Sequence, residues 1–232
     1  MIPLMDRNPS SRTPYVTYTL LGLNIAVFLF ELTLDKEGLK GLFDRFGVIP
    51  VLYTQGGQTD LFQLLIPLFT SMFLHAGWVH LGFNMLYLWI FADNVEDRLG
   101  HVRFVIFYLL SGLGAMVAQI ALSRLSTVPC IGASGAIGGV LGAYMITYPN
   151  IKVLTLLPIF YFITLIEVPA LVVLGFWFVG QLFSGVGSLN PGYGAGIAYW
   201  AHVGGFATGI ALMLVLAPGR DKEPRKDKNR RG

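Results

Sequence analysis

Six apolar stretches separated by short polar segments constrain the fold of this chain most. Hydrophobic residues make up 54% of its 232 residues and charged residues only 12%, and its mean hydropathy is +0.64. A soluble domain of this size carries about a quarter charged residues. The sequence therefore predicts an all-α membrane protein, a polytopic bundle of six transmembrane helices. The predicted spans are residues 15–34, 78–91, 104–122, 134–148, 168–183 and 198–217.

The segments outside the predicted spans indicate their structure less clearly than the spans do. Residues 1–14 form a polar lead-in, and the first span lacks a clear cleavage site, so we expect it to be retained. We expect the loop 35–60 to fold onto the membrane surface because it contains apolar clusters. Residues 93–103 and the glycine-rich 184–196 are predicted connections. Residues 151–167 are apolar but include Pro158, which leaves two interpretations: an extended or re-entrant segment, or part of one long kinked helix.

The distribution of basic residues predicts the orientation. With both termini inside, the inner segments hold twelve Lys and Arg residues and the outer loops four, seven of the twelve lying in the tail 218–232. The positive-inside rule therefore predicts cytoplasmic termini around a six-span domain at 15–217. The tail is expected to anchor on anionic lipid rather than to bind nucleic acid. A core without added domains or a transit peptide suggests a prokaryotic plasma membrane.

Strongly polar side chains at the starts of three spans are the candidate functional residues. His80 and Asn84 are four residues apart and share one face of the second span, with His75 just before it. Ser134 begins the fourth span and His202 lies near the start of the sixth. Polar residues within spans are costly and default to functional hypotheses. Connectivity brings the three spans into the membrane from the same side, so these groups are expected to converge in one pocket.

Converging serine and histidine side chains can perform nucleophilic catalysis. His202 has a suitable pKa to take the proton of Ser134 near neutral pH. His80, Asn84 and the backbone N–H of Ser134 could donate hydrogen bonds to an oxyanion. No Asp or Glu lies near His202 in the sequence, which favours a dyad over a triad.

Other interpretations of these residues stay open. Ser134 lies among glycines and could be a packing residue, because small residues are usual at helix interfaces in membranes. The histidines could relay protons or bind a metal, and Asn84 could link two helices. The His-Glu-x-x-His pattern of zinc proteases is absent, and no acidic residue or cysteine lies near the histidine pair, so a metal site is not predicted. Cys130 is the single cysteine, which excludes an internal disulfide. Glycine pairs four apart in the fourth and sixth spans predict that these two spans pack together.

Three motifs in this order resemble the rhomboid intramembrane serine proteases. They are His75-Ala76-Gly77-Trp78-Val79-His80-Leu81-Gly82-Phe83-Asn84, then Gly132-Ala133-Ser134-Gly135, then Ala201-His202-Val203-Gly204-Gly205 with Gly209. Glu96, Arg98 and Gly100 also resemble an element of that family that is thought to be structural. The resemblance covers about residues 15–217.

The resemblance implies a Ser134–His202 dyad and an oxyanion site of His80, Asn84 and the Ser134 N–H, with His75 in support. It also implies cleavage of single-span membrane proteins near the outer face, without a cofactor. Two positions depart from the family pattern. Ile66-Pro67 stands where many relatives have Trp-Arg, and Gly138 stands where some have an aromatic residue on the catalytic histidine. Either His202 is oriented by another group or the pocket is roomier.

Two other functions remain possible from the sequence. A rhomboid-like protein can bind transmembrane segments without cleaving them, although the presence of both Ser134 and His202 argues against this. A small transporter is a third possibility, but the chain shows no inverted repeat. The sequence does not indicate an oligomeric state.

Overall fold

Helices dominate the structure, a computed structural model that describes residues 1–56, 60–159, 162–189 and 196–217. In this part of the chain the helices are α1 Tyr15–Glu31, α2 Lys36–Phe46, α3 Pro50–Thr54, α4 Leu61–Thr70, α5 Trp78–Leu99, α6 His101–Leu122, α7 Ser134–Thr147, α8 Ala170–Gly187 and α9 Tyr199–Leu216. A 3₁₀ turn, Ser71–Phe73, links α4 to α5. The strands are β1 Ile2–Asp6, β2 Lys152–Ile159 and β3 Phe162–Pro169.

Each predicted span overlaps one helix, which confirms a mostly helical multi-pass membrane architecture. Within the described residues, α6, α8 and α9 are each long and apolar enough to cross a membrane, and residues 61–73 form a fourth candidate together with α5, bent by 79°. Helices α1 and α7 are apolar but shorter, at 17 and 14 residues. The count of six spans and the cytoplasmic position of the termini therefore stay predictions.

Helix α7 lies at the centre of the bundle and packs through glycines against α9. A Cβ atom at Gly205 would overlap the carbonyl oxygen of Gly135, and one at Gly209 would overlap that of Gly139. Backbones can approach this closely only where side chains are absent, which is the usual packing mode in lipid. The predicted contact between the fourth and sixth spans is confirmed.

A three-stranded antiparallel sheet corrects the all-α prediction. Strand β2 pairs with β1 on one side and with β3 on the other, and Lys152 lies opposite Pro169. The extended interpretation of residues 151–167 is confirmed, and the long kinked helix is wrong. Part of the predicted lead-in forms the outer strand β1. Its partner strand lies about 150 residues away in sequence, so no local signal revealed this pairing.

The predicted connection at residues 93–103 is wrong, because α5 continues to Leu99 and α6 begins at His101. Charged residues can remain in this helix because their polar atoms have hydrogen-bond partners, as Glu96 shows. The buried Glu96 carboxylate accepts the N–H groups of Val16 and Thr17 at 2.9 and 2.8 Å, the Thr17 hydroxyl at 2.7 Å and Nδ1–H of His101 at 2.6 Å. Glu96 therefore caps the start of α1 and fastens it to α5 and α6. Gly100, at φ +80°, turns the chain between them.

The predicted surface loop contains α2 and α3, and α4 follows it. Asp35 caps α2 by accepting the Gly38 N–H at 2.8 Å, and Asp60 caps α4 through Phe62 N–H at 2.9 Å. A backbone bridge joins Val48 to Cys130, which ties this segment to the chain entering α7. Residues 184–187 of the predicted glycine-rich loop belong to α8. The rest of that loop at 190–195 and the basic tail 218–232 lie outside the described residues.

Candidate functional site

Ser134 and His202 meet at the end of the bundle where α7 and α9 begin. Ser134 is the first residue of α7, and His202 lies in the first turn of α9. His202 Nε2 is 2.8 Å from Ser134 Oγ, a hydrogen-bond distance at which the ring can take the hydroxyl proton. The glycine contact between the two helices permits this approach, and a Cβ at Gly138 would lie 2.9 Å from the His202 carbonyl oxygen. Position 138 therefore has no room for a side chain without moving α9.

Two residues of α8 hold the other side of the His202 ring. Gln181 Oε1 lies 2.6 Å from His202 Nδ1. The Trp177 ring lies beside the imidazole, with centroids 5.8 Å apart and planes at 37°. The sequence analysis missed both residues. The sequence did contain a signal for Gln181. A side-chain amide within an apolar span is costly and therefore suggests a functional role. Gly138 raised two possibilities, that another group orients His202 or that the pocket is roomier. The contacts of Gln181 and Trp177 with the ring support the first.

His80 and Asn84 converge on Gly132, two residues before Ser134. A Cβ at Gly132 would lie 2.5 Å from His80 Nε2 and 3.6 Å from Asn84 Nδ2, and Gly132 has φ +117°. A glycine here lets the backbone pass close to both side chains in a conformation that other residues rarely adopt. Asn84 is 6% exposed, and its Nδ2 is buried without a hydrogen-bond partner in the structure.

The hydrogen bond to the second ring nitrogen indicates which nitrogen of His80 carries the proton. The Ala76 N–H donates to His80 Nδ1 at 3.3 Å. Nδ1 is therefore the acceptor, so in a neutral ring Nε2 bears the hydrogen and points toward Gly132. His80 and Asn84 thus present two N–H donors beside the start of α7.

His75 lies behind this pair rather than beside it. Its side chain is 1% exposed, and its ring centroid is 5.0 Å from that of His80. Its backbone N–H donates to the buried Glu31 carboxylate at 3.1 Å. Because His75 does not line the cavity that contains Ser134, its position fits support of His80 rather than contact with a substrate.

A cavity of about 1070 Å³ opens over Ser134, His202, His80 and Asn84. Its walls are otherwise largely apolar, with Trp78, Phe83 and Tyr87 from α5, Ile137 from α7 and Trp177 from α8 among the lining residues. An apolar cavity with a few converging polar groups is the usual form of a binding site. Among the described residues, no group of three His, Cys, Asp or Glu side chains is placed to hold a metal ion.

Comparison with known protein families shows to which family the chain belongs. The Rhomboid domain family model matches residues 63–219, more than half of the chain. The chain belongs to the rhomboid family. This assignment makes it a relative of membrane serine proteases, and the match includes every candidate site residue named above.

Individual relatives agree with the family assignment. The chain is 33% identical over 144 residues to "Rhomboid protein 1, mitochondrial" of Saccharomyces cerevisiae, covering 60% of this chain and 38% of that protein. It is 30% identical over 135 residues to "Rhomboid-like protein 11, chloroplastic" of Arabidopsis thaliana, covering 58% and 42%. It is 35% identical over 133 residues to "Rhomboid protease GluP" of Bacillus subtilis, covering 57% and 24%. The matched region is thus less than half the length of each of these relatives.

These names correct the predicted location. The prediction of a prokaryotic plasma membrane is wrong, because the similar proteins include mitochondrial and chloroplastic rhomboids of eukaryotes. Rhomboids of several different membranes resemble this chain, so the sequence features used for that prediction do not identify the membrane. The multi-pass membrane nature of the chain is unaffected.

Proposed function

We propose that this rhomboid is an intramembrane serine endopeptidase that cleaves single-span membrane proteins with a Ser134–His202 dyad. The observation that carries the proposal is the 2.8 Å contact between His202 Nε2 and Ser134 Oγ within the cavity. A serine that served only helix packing would not need a histidine at hydrogen-bond distance. The name of the GluP relative, which describes a protease, adds support.

The proposed reaction begins with proton transfer from Ser134 Oγ to His202 Nε2 as Oγ attacks the scissile carbonyl carbon. The carbonyl oxygen gains negative charge and accepts hydrogen bonds from Asn84 Nδ2, from His80 Nε2–H and from the backbone N–H of Ser134. The N–H groups of the first helical turn are not used within α7, so that helix start favours an anion. His202 then gives its proton to the leaving amine, and water hydrolyses the acyl-enzyme through the same base.

The unpaired Asn84 supports the oxyanion role in particular. A buried N–H without a partner costs free energy, so such groups are rare in folded proteins. An amide placed to bind charge that forms only in the transition state accounts for this arrangement. His75 supports the site through its contact with His80. The proposal includes a site that faces the outer side of the membrane, with both termini in the cytoplasm.

Cleavage of a single-span substrate by the purified chain in detergent tests the proposal. The wild type should release two fragments, and Ser134→Ala and His202→Ala should each abolish cleavage while their unfolding temperatures stay near that of the wild type. Loss of a nucleophile or base typically lowers turnover by about 10⁴-fold or more. A wild type that binds the substrate but cleaves nothing would instead establish a silent binder. Equal cleavage by Ser134→Ala would exclude this serine as the nucleophile.

A further inference from the structure

We propose that Gln181 is a positioning residue that holds the His202 ring in the one tautomer able to accept the Ser134 proton. The inference rests on the proposed protease function and extends the site from a pair to the series Ser134–His202–Gln181. Its basis is a pair of hydrogen bonds at opposite edges of one ring: Oγ to Nε2 at 2.8 Å and Oε1 to Nδ1 at 2.6 Å.

The tautomer follows from the donor and acceptor inventory of the two side chains. A neutral imidazole carries one N–H and one acceptor nitrogen, and an amide oxygen can only accept. With Gln181 Oε1 facing Nδ1, the hydrogen lies on Nδ1, and Nε2 is left as the acceptor for the Ser134 hydroxyl. The reversed amide would place its NH₂ against Nδ1 and the ring hydrogen on Nε2. His202 could not then act as a base, so the direction of this amide is a functional feature.

Helix α8 is built to present these two contacts together. Trp177 and Gln181 are four residues apart and therefore share one face of α8. Trp177 packs beside the imidazole, and the same ring also contacts Phe206 of α9 at 6.2 Å between centroids. Gly138 on α7 leaves no side chain that could orient the ring from the other direction. Apart from the contact of Ser134 with Nε2, the described contacts that orient the His202 ring come from α8.

Gln181 remains neutral throughout the proposed reaction. When Ser134 Oγ bonds to the carbonyl carbon, its proton moves to Nε2, and Nδ1 keeps its own hydrogen on the Gln181 oxygen. The imidazolium donates from both nitrogens, and the amide dipole stabilises it without accepting a proton. No Asp or Glu is among the described residues that line the cavity, so this dipole takes the place that a carboxylate holds in a Ser-His-Asp triad.

Two variants separate the hydrogen bond from the packing of the side chain. Gln181→Leu keeps the approximate volume and removes the acceptor, whereas Gln181→Glu retains a carboxyl oxygen at the same reach. The matched control is Gln119→Leu, because the Gln119 oxygen also binds the start of α9, accepting the Ala201 N–H at 3.1 Å. This control removes a buried amide that binds the backbone of Ala201, the residue before His202, and that does not touch the His202 ring.

The readouts are kcat, KM and the ¹⁵N NMR shifts of the His202 ring in protein labelled at histidine, assigned by their loss in His202→Asn. Gln181→Leu should lower kcat about 10- to 30-fold with KM within about twofold, because one buried hydrogen bond is lost at a step that does not affect binding. In the wild type we expect the ¹⁵N shifts of a ring with its hydrogen on Nδ1, which we call the Nδ1–H pattern. The spectrum of Gln181→Leu should lose this pattern. Gln181→Glu should restore most of kcat together with that pattern. Gln119→Leu should lower the unfolding temperature but keep the Nδ1–H pattern.

The proposal fails if Gln181→Leu turns over at the wild-type rate, or if its kcat falls while the Nδ1–H pattern persists. It fails equally if the wild-type ring carries its hydrogen on Nε2. The spectrum does not depend on turnover. An inactive wild type would therefore contradict the proposed protease function, and the ¹⁵N shifts would still decide the role of Gln181.

Discussion

Asn84 and Glu96, buried polar side chains toward opposite ends of the helical bundle, differ in how their polar atoms are paired. At the end where α7 and α9 begin, Asn84 Nδ2 is buried without a partner, and His80 Nε2 faces the backbone at Gly132. At the other end, the Glu96 carboxylate receives four hydrogen bonds from neighbouring elements. Asp6 of β1 accepts from Tyr144 at 2.5 Å and from Asn94 at 3.1 Å.

The four hydrogen bonds to Glu96 hold neighbouring elements of the fold together, whereas the unpaired Asn84 donor is the group proposed above to bind the oxyanion of a substrate. Hydrogen bonds to a buried polar group such as Glu96 offset the cost of its desolvation, whereas a donor left unpaired lowers stability unless it serves another purpose. Substitutions at the two ends should therefore affect different measurements.

Among the changes that test this comparison, the largest expected effect comes from removing the unpaired donor with Asn84→Ala. Turnover should fall about 100- to 1000-fold, since the amide would act only in the transition state. KM should change by no more than about threefold, and the unfolding temperature should stay level or rise because a buried unpaired group is removed. Initial rates at several substrate concentrations and a thermal unfolding curve measure this. A rise in KM at unchanged kcat would make Asn84 a binding residue and contradict the oxyanion assignment.

The matched change at the other end is Glu96→Gln, which keeps the shape and removes the charge. It should lower the free energy of unfolding by about 2–3 kcal/mol, because charge-assisted hydrogen bonds to the start of α1 are weakened. Turnover per folded molecule should remain within about twofold of the wild type. Titration with a denaturing detergent gives the stability, and the active fraction normalises the rate. If Glu96→Gln lowered the turnover of the folded fraction as much as Asn84→Ala does, Glu96 would not differ from Asn84 in its role.

The smallest expected effect is a pH dependence of stability at Asp6. Burial raises the pKa of Asp6 to about 6 from its ordinary 3.8, the Tyr144 hydroxyl opposes this, and the nearby Asp93 carboxyl adds to it. A raised acid pKa means that the folded state binds the proton more tightly than the unfolded state. The contribution of Asp6 is thus most favourable below about pH 4 and is lost as the pH rises through 6.

The expected size is about 1–2 kcal/mol once solvent screening of this partly exposed carboxyl is allowed for. Asp6→Asn, which cannot titrate, is the matched control for other ionisable groups. The difference in unfolding temperature between wild type and Asp6→Asn should therefore change between pH 4 and 6.5, in favour of the wild type at the acidic end. A constant difference across that range would show that Asp6 titrates alike in both states.

The sequence predicted which polar residues converge at the site better than it predicted the contacts that support them. Ser134, His202, His80 and Asn84 stand out as polar residues at the starts of apolar helices, and the glycine spacing indicated which helices touch. Gln181 was recognisable as an amide within an apolar span, but nothing in the sequence tells which face of α8 turns toward His202. The β1–β2 pairing joins residues about 150 positions apart. The helical state of residues 93–99 depends on Glu96 finding partners in α1, so both features are set by tertiary contacts.

Covalent labelling tests most directly whether Ser134 is an activated nucleophile. The purified chain is treated with a fluorophosphonate, which forms a stable bond to an activated serine oxygen, and the modified residue is located by peptide mass spectrometry. The account predicts modification of Ser134, and no modification of Ser134 in the folded His202→Ala variant, because the hydroxyl then lacks its base. Modification of another serine, or equal labelling of Ser134 without His202, would contradict it.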